Sequence, residues 1–228
     1  MSPATNGGGW LLALDTATTT IVVAAGDTDG RVLAGEAFEG QYRHSQELLP
    51  AVVRVLDGAG LELADLAGVV VGTGPGAFTG LRVGIATAKT LAHELGCPIV
   101  GIASSSALLA AVPDATVLWL PSGPRDRVMV VAGSEPVVVA GGDPAPRPLP
   151  GAVEIAVNLE ARASEAALAL GRAAVAGLPA ALLRLGATRL AADDHDVPEH
   201  LVPRYASPPR GAPTGGQEGG VAWSRDPR

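Results

Sequence analysis

From Trp10 to Glu39 short apolar runs alternate with turn residues: WLLALDT, TIVVAAGD and RVLAGEAFE, with Asp27-Thr28-Asp29-Gly30 as a hairpin turn. This pattern predicts an antiparallel three-stranded meander. The period then changes. Ser45 is placed to cap a helix with Glu47 in its first turn, and Leu48, Leu49, Val52, Val53 and Leu56 recur at helical spacing until Gly58-Ala59-Gly60. A fully apolar strand, Val69-Val70-Val71, precedes a glycine-rich loop from Gly72 to Gly80 and a long helix to about Leu95, which Gly96-Cys97-Pro98 breaks. The strand Ile99-Val100-Gly101-Ile102 and a short helix from about Ser104 complete a unit of βββαβαβα type. Helical crossovers between short apolar strands imply an α/β fold, a mixed sheet covered by helices.

After Pro113 a similar opening returns in VLWLPSG, RVMVVAG and PVVVAGG, a faint internal duplication of the first meander. A Pro/Gly-rich stretch from Gly141 to Pro150 leads to a strand near Val153-Glu154-Ile155-Ala156 and to Ala-rich helical sequence from about Ala161 to Val175. Two units are therefore expected, 10–110 and 111–206. Residues 1–9 and 207–228 lack hydrophobic periodicity and read as disordered ends.

The chain has 228 residues and a formal charge of −7, from 16 Lys and Arg against 23 Asp and Glu. With 47% hydrophobic residues it has enough apolar side chains for a core. The acidic balance argues against an unaided grip on nucleic acid, which needs clustered Lys and Arg to release counterions, so any RNA link is expected to be indirect. Arg125, Arg127, Arg184 and Arg189 are scattered along the sequence and read as solvated charge. Cys97 is the only cysteine, which excludes an internal disulfide and a cysteine-based structural zinc site. MSPATNGGG lacks the features of a signal peptide, and no later run reads as the roughly 20 apolar residues that span a bilayer. A cytoplasmic address with no membrane partner is the expectation.

The stretch from Gly72 to Gly84, GTGPGAFTGLRVG, sits between a buried strand and a helix. Its glycines let the backbone approach something closely, and Gly76 and Gly80 are expected to resist β-branched replacement through positive φ or close contact. A phosphate loop would need Lys-Ser/Thr after the last glycine, and Gly74 to Gly80 encloses five residues instead of four. A dinucleotide fingerprint fits Gly72-x-Gly74-x-x-Ala77 but wants an acid at the end of the next strand, where Ile102-Ala103-Ser104 stands. A tight strand-to-helix turn is the third reading.

GPGAFTGLRVG, together with RHSQELLP and LALDTAT, resembles the TsaB (YeaZ) family of bacterial tRNA-modification proteins over roughly Leu11 to Ala110. Beyond it, Val202-Pro203-Arg204-Tyr205 is similar to the family's closing Pro-x-Tyr segment. The resemblance implies two actin-like (ASKHA, ribonuclease H-like) units and a degenerate relative of TsaD. It also implies a function: a non-catalytic subunit that binds TsaD, and TsaE through the TsaB–TsaD pair, to support threonylcarbamoyl transfer to adenosine 37 of tRNA. ATP and metal are then expected on the partner subunits, with no cofactor in this chain. The glycine loop residues Gly74, Pro75, Gly76, Phe78, Thr79, Gly80 and Arg82 become candidates for a structural or partner-binding role.

Departures from an active relative point the same way. An ATPase of that superfamily uses Asp-x-Gly turns, whereas the first turn here reads Asp15-Thr16-Ala17, a degenerate phosphate turn. Asp15 is expected to accept hydrogen bonds from the following turn. The second turn, Leu120-Pro121-Ser122-Gly123-Pro124-Arg125, has no carboxylate. The resemblance aligns Ser104 and Leu108 with the His-x-x-x-His metal pair of TsaD, so no metal site is expected. An autonomous ATPase or phosphotransferase is the alternative. A peptidase is less favoured, because adjacent His44 and Ser45 cannot form a nucleophile–base hydrogen bond. Cys97 reads as a small buried residue.

In the first helix Ala51 and Val55 extend the apolar face beyond the stripe of about 100° that packing on one sheet requires. They are expected to face outward into a second contact, the alternative being a helix sandwiched within its own domain. In the next helix Leu81, Ile85, Ala88, Leu91, Ala92 and Leu95 face inward, and Gly84, Ala86 and Ala88 permit close helix approach. Leu48, Ala51, Val52, Val55, Ile85 and Lys89 are the expected interface, half of a helical bundle completed by TsaD or by a second copy in a homodimer.

Overall fold

The computed structural model describes residues 9–40, 44–142 and 151–205, His44 by its backbone alone. The expected disordered ends, apart from Gly9, lie outside these residues, as do Arg43 and most of the Pro/Gly-rich stretch.

The meander forms as its alternation dictates. β1 (Trp10–Asp15), β2 (Thr20–Asp27) and β3 (Val32–Glu39) are antiparallel, while β4 (Leu66–Gly72) and β5 (Ile99–Ile102) add in parallel, giving the order β3-β2-β1-β4-β5. This is the ribonuclease H-like arrangement. β6 (Ala115–Ser122), β7 (Asp126–Val131), β8 (Val137–Val139) and β9 (Val153–Ala156) repeat it as β8-β7-β6-β9, one strand short. The duplication in the sequence is thus a duplication of sheet topology.

Side chains alternate along β1. Trp10, Leu12 and Leu14 face a core with α1 (His44–Ala59) and α2 (Phe78–Leu95), whereas Leu11 and Ala13 face the opposite side. That opposite core also takes Leu118, Leu120, Val128 and Ile155 from the second sheet, and between the sheets lie α3 (Ser104–Ala110) and α4 (Glu165–Ala191). One helical layer therefore serves both sheets.

Two helices depart from expectation. In α1 the buried residues are Leu48, Ala51, Val52, Val55 and Leu56, spaced i, i+3, i+4, i+7, i+8 as one face of a helix demands. Ala51 and Val55, expected outward, are core residues, and Leu49 and Val53 are exposed by 51% and 55%. The helix also begins at His44, one residue before the expected cap. α4 starts at Glu165, where the Ser164 hydroxyl accepts the Ala167 N–H at 3.2 Å, and continues through Pro179 to Ala191. Its outward stripe is filled largely by alanines, Ala169, Ala173, Ala176 and Ala180, so no polar face delimits it in the sequence. By length and hydropathy α4 could cross a membrane, contrary to the expectation that no run is long enough; it lies in the core between the sheets.

The chain after α4 is tied along the open edge of β5. Arg189 binds Asp194 through two bonds of 2.7 and 2.8 Å and reaches Asp196 at 3.0 Å. Asp196 in turn accepts the Gly101 N–H at 2.8 Å and donates its own N–H to Ile99 O at 2.8 Å. This edge tie leads residues 201–205 onto the glycine loop.

Candidate functional site

The glycine loop connects β4 to α2 and folds onto the turn between β1 and β2. Asp15, the last residue of β1, is fully buried. Its Oδ1 accepts the Ala17 N–H at 2.9 Å, the turn contact expected of an aspartate here. Its Oδ2 accepts the Ser104 hydroxyl at 2.6 Å, and Ser104 Oγ accepts the Gly74 N–H at 3.0 Å. Burial pushes the Asp15 carboxyl above its ordinary range, opposed by the bonds from Ser104 and Ala17.

The next two residues of the turn are held just as closely. Thr16, also fully buried, donates its hydroxyl to Gly80 O at 2.7 Å, and Ala17 O accepts the Ala77 N–H at 2.7 Å. A Cβ at Gly72 would overlap the Asp15 carboxylate, one at Gly76 the Ala17 carbonyl, and one at Gly84 the Thr16 hydroxyl. Three glycines thus let the loop and α2 close over the turn. The positive φ sits at Gly74 (101°), next to a cis bond to Pro75, and not at Gly76 or Gly80 as the sequence suggested. Gly84 accommodates Thr16 rather than a second helix, and Ala86 is exposed.

Pro75 is buried, while Phe78, Thr79 and Arg82 face outward at the start of α2. The Phe78 ring stacks on Tyr205 at 4.9 Å with the Arg82 guanidinium 5.2 Å from its centroid. Arg204 N–H donates to Thr73 O at 2.8 Å, so the Val202-Pro203-Arg204-Tyr205 segment braces the loop from outside. A cleft of about 770 Å³ opens beside it, bounded by Gly74, Pro75, Ser105, Leu109, Glu135 and Arg204.

Chemical groups are sparse around this centre. Ser104 is committed to Asp15 and Leu108 is wholly buried in the core. Among the described residues no group of three or more His, Cys, Asp or Glu could hold a metal ion. Cys97 is half-buried and burial pushes its thiol up, away from thiolate chemistry. In the second unit the turn after β6 has Gly123 at φ 76°, with Gly123, Pro124 and Arg125 exposed.

Of the expected interface residues, Leu48, Ala51, Val52, Val55 and Ile85 are buried within the chain's own core, and Lys89 is half-exposed. Sequence reasoning missed the contacts of Ser104, Thr16 and Tyr205. Each joins residues distant in sequence, and no pattern in the residues around them marks these contacts.

The family model of TsaD, described as tRNA N6-adenosine threonylcarbamoyltransferase, matches residues 39–185. An uncharacterised protein of Mycobacterium tuberculosis is 42% identical over 99 residues, 43% of this chain and 47% of that protein. The tRNA threonylcarbamoyladenosine biosynthesis protein TsaB of Bacillus subtilis is 37% identical over 100 residues, 44% of this chain and 43% of the relative. The matched chain spans about half the length of these curated relatives. The solved structure of YeaZ from Pseudomonas aeruginosa superposes with a TM-score of 0.66 at 27% identity, covering 86% of this chain and 99% of that one.

Proposed function

The chain belongs to the TsaD-like family as a TsaB (YeaZ) member, and we propose that it acts in tRNA threonylcarbamoyladenosine biosynthesis. In this role it is a non-catalytic subunit that binds TsaD, meets TsaE through the TsaB–TsaD pair, and supports threonylcarbamoyl transfer to adenosine 37 of tRNA. ATP and metal belong to those partners, and the complex rather than this acidic chain supplies most of the hold on tRNA.

The observation that carries this reading is the closed turn: the Asp15 carboxylate is spent on Ala17 and Ser104, and the glycine loop covers Thr16 and Ala17. A phosphate-binding turn needs a free carboxylate and open N–H groups. Partner binding is supported by the outer side of α1, where Leu49 and Val53 are exposed. Apolar surface of this kind favours association by about 25 cal/mol per Å² buried, before the costs of binding. The same surface would serve a homodimer when TsaD is absent.

Leu49→Glu and Val53→Glu test the surface. Both variants are expected to keep the wild-type circular dichroism spectrum while TsaD affinity falls about tenfold or more and the homodimer weakens in sedimentation, since each puts a charge in the seam. Val55→Glu, by contrast, buries an unpaired carboxylate and should unfold the chain. Folded Leu49 and Val53 variants with undiminished TsaD and self-association would refute the surface. MgATP turnover by the isolated chain, or full tRNA modification by TsaD and TsaE in its absence, would refute the role.

A further inference from the structure

Acids outnumber bases in this chain, and several described arginines are answered by them. Arg31 pairs with Asp27 and Asp29, Arg54 with Glu36, Arg172 with Glu165, and Arg189 with Asp194 and Asp196. At the β6–β7 turn the pattern changes. Arg125, Arg127 and Arg162, separated by up to 37 positions, are drawn together by backbone contacts: Arg127 Nη1 donates to Arg162 O at 3.4 Å, and Arg162 Nη1 donates to Pro124 O at 3.5 Å, next to Arg125. None of the three forms an ion pair among the described residues.

The acids close by in sequence form no ion pair with them among the described residues. Asp126 Oδ1 accepts the Gly141 N–H at 2.9 Å, and Glu154 Oε2 accepts the Trp119 indole N–H at 3.3 Å. Glu160 is exposed and forms no ion pair among the described residues. The Arg127 guanidinium rests 5.1 Å from the Trp119 ring centroid, a face that fixes its position and leaves its charge intact. Each guanidinium carries five N–H donors in a planar fork, of which the contacts above use at most one.

We infer that Arg125, Arg127 and Arg162 form a contact surface for the phosphodiester backbone of RNA. Planar forks outside any ion pair, those of Arg127 and Arg162 held by carbonyls and a ring, match phosphate oxygens, which take two N–H donors at once. The contact adds to the hold of a complex and does not replace it, consistent with the chain's net charge of −7. This inference rests on the functional reading above, which places an RNA polyanion within reach of the complex. Arg125 and Arg127 are thus not merely scattered charge: Arg162 completes a cluster that their sequence positions conceal.

The test uses the full chain assembled with TsaD and TsaE, and the anisotropy of labelled tRNA across about 50 to 200 mM salt. The combined Arg125→Gln, Arg127→Gln, Arg162→Gln variant should bind about tenfold more weakly at the low end, and its slope of log affinity against log salt should flatten by about 2. Arg172→Gln should change neither. In the modification assay the KM for tRNA should rise with kcat unchanged. A folded triple variant with wild-type affinity and slope overturns the inference; so does weaker binding with an unchanged slope, or loss of TsaD or TsaE from the assembly, which would mark a protein contact. Should the triple variant fail to fold, Arg125→Gln decides, because that side chain is exposed and has no partner among the described residues: its slope must flatten by a measurable fraction of one. Failure of the underlying role looks different, since modification would then be independent of the wild-type chain itself.

Discussion

The two units lay out the same strand order around one helical layer, yet their first hairpin turns differ in kind. Between β1 and β2, Asp15, Thr16 and Ala17 are buried and bonded to the glycine loop, to α2 and to Ser104. Between β6 and β7, Gly123, Pro124 and Arg125 are exposed and bring arginines together. A phosphate-binding hairpin needs a carboxylate and room for a ligand in the same turn. The first turn keeps its carboxylate where there is no room; the second has room, and the carboxylate that flanks it, Asp126, accepts the Gly141 N–H. The comparison shows how one duplicated strand order serves two ends: the first turn is packing and the second is surface.

The most severe test of that contrast is Gly76→Val. A Cβ there collides with backbone, the Ala17 carbonyl, which a flexible side chain cannot relieve. A loss of about 3 kcal/mol or more is expected in urea unfolding, at the upper end for overpacking of a tight interior. TsaD binding should fall with the folded fraction. A variant as stable as the wild type would mean that the loop can lift from the turn, and the first turn would no longer be closed.

How much of this was legible in the sequence depends on whether the signal was local. The meanders, the end of α2 at Gly96 and the glycine loop follow from runs, breakers and periodicity within a few residues. In α1 the helical period of the sequence matches the structure, but the apolar face it suggests lies to one side of the buried one: five core residues and two exposed ones are all apolar, and only the packing of Ala51 and Val55 in the core identifies the inner face. α4 lacks the amphipathic contrast that locates a helix, because alanines fill much of the stripe that the two sheets leave exposed. Within the site, Asp15 announced its own turn. Its second partner, Ser104, lies 89 positions away, and the arginine cluster needs Arg162 from beyond β9. Those contacts are products of topology, which no window of residues contains.

A second test separates burial from charge at the closed turn. The Asp15 carboxyl is pushed above its ordinary value of 3.8 by burial, so the native state binds its proton more tightly than the unfolded chain does. Its contribution to stability is fully present below the unfolded value and is lost as pH rises through the raised native one. Asp15→Asn cannot titrate. The stability of the wild type minus that of the variant should therefore decline as pH rises from near 3.8, read by urea unfolding at a series of pH values. A difference that stays level, or grows with pH, would show that the hydrogen bonds from Ser104 and Ala17 outweigh burial.

The gentlest test concerns the open turn. Gly123 has φ 76°, a left-handed conformation that costs an L-residue, yet a Cβ there would meet nothing within 4 Å. Gly123→Ala thus carries a backbone penalty of about 1–2 kcal/mol. The reduced freedom of the unfolded chain returns about 0.4–1 kcal/mol of that. A net loss of about 1 kcal/mol is expected, with TsaD binding unchanged because the turn lies away from α1 and α2. Gly76→Ala provides the matching substitution at the closed turn, where φ is not positive but the Cβ strikes the Ala17 carbonyl. If strain of the backbone were the common cause, the Gly123 variant would suffer more. If closure distinguishes the two turns, the Gly76 variant must be the less stable of the pair, and equal losses at both positions would remove the distinction.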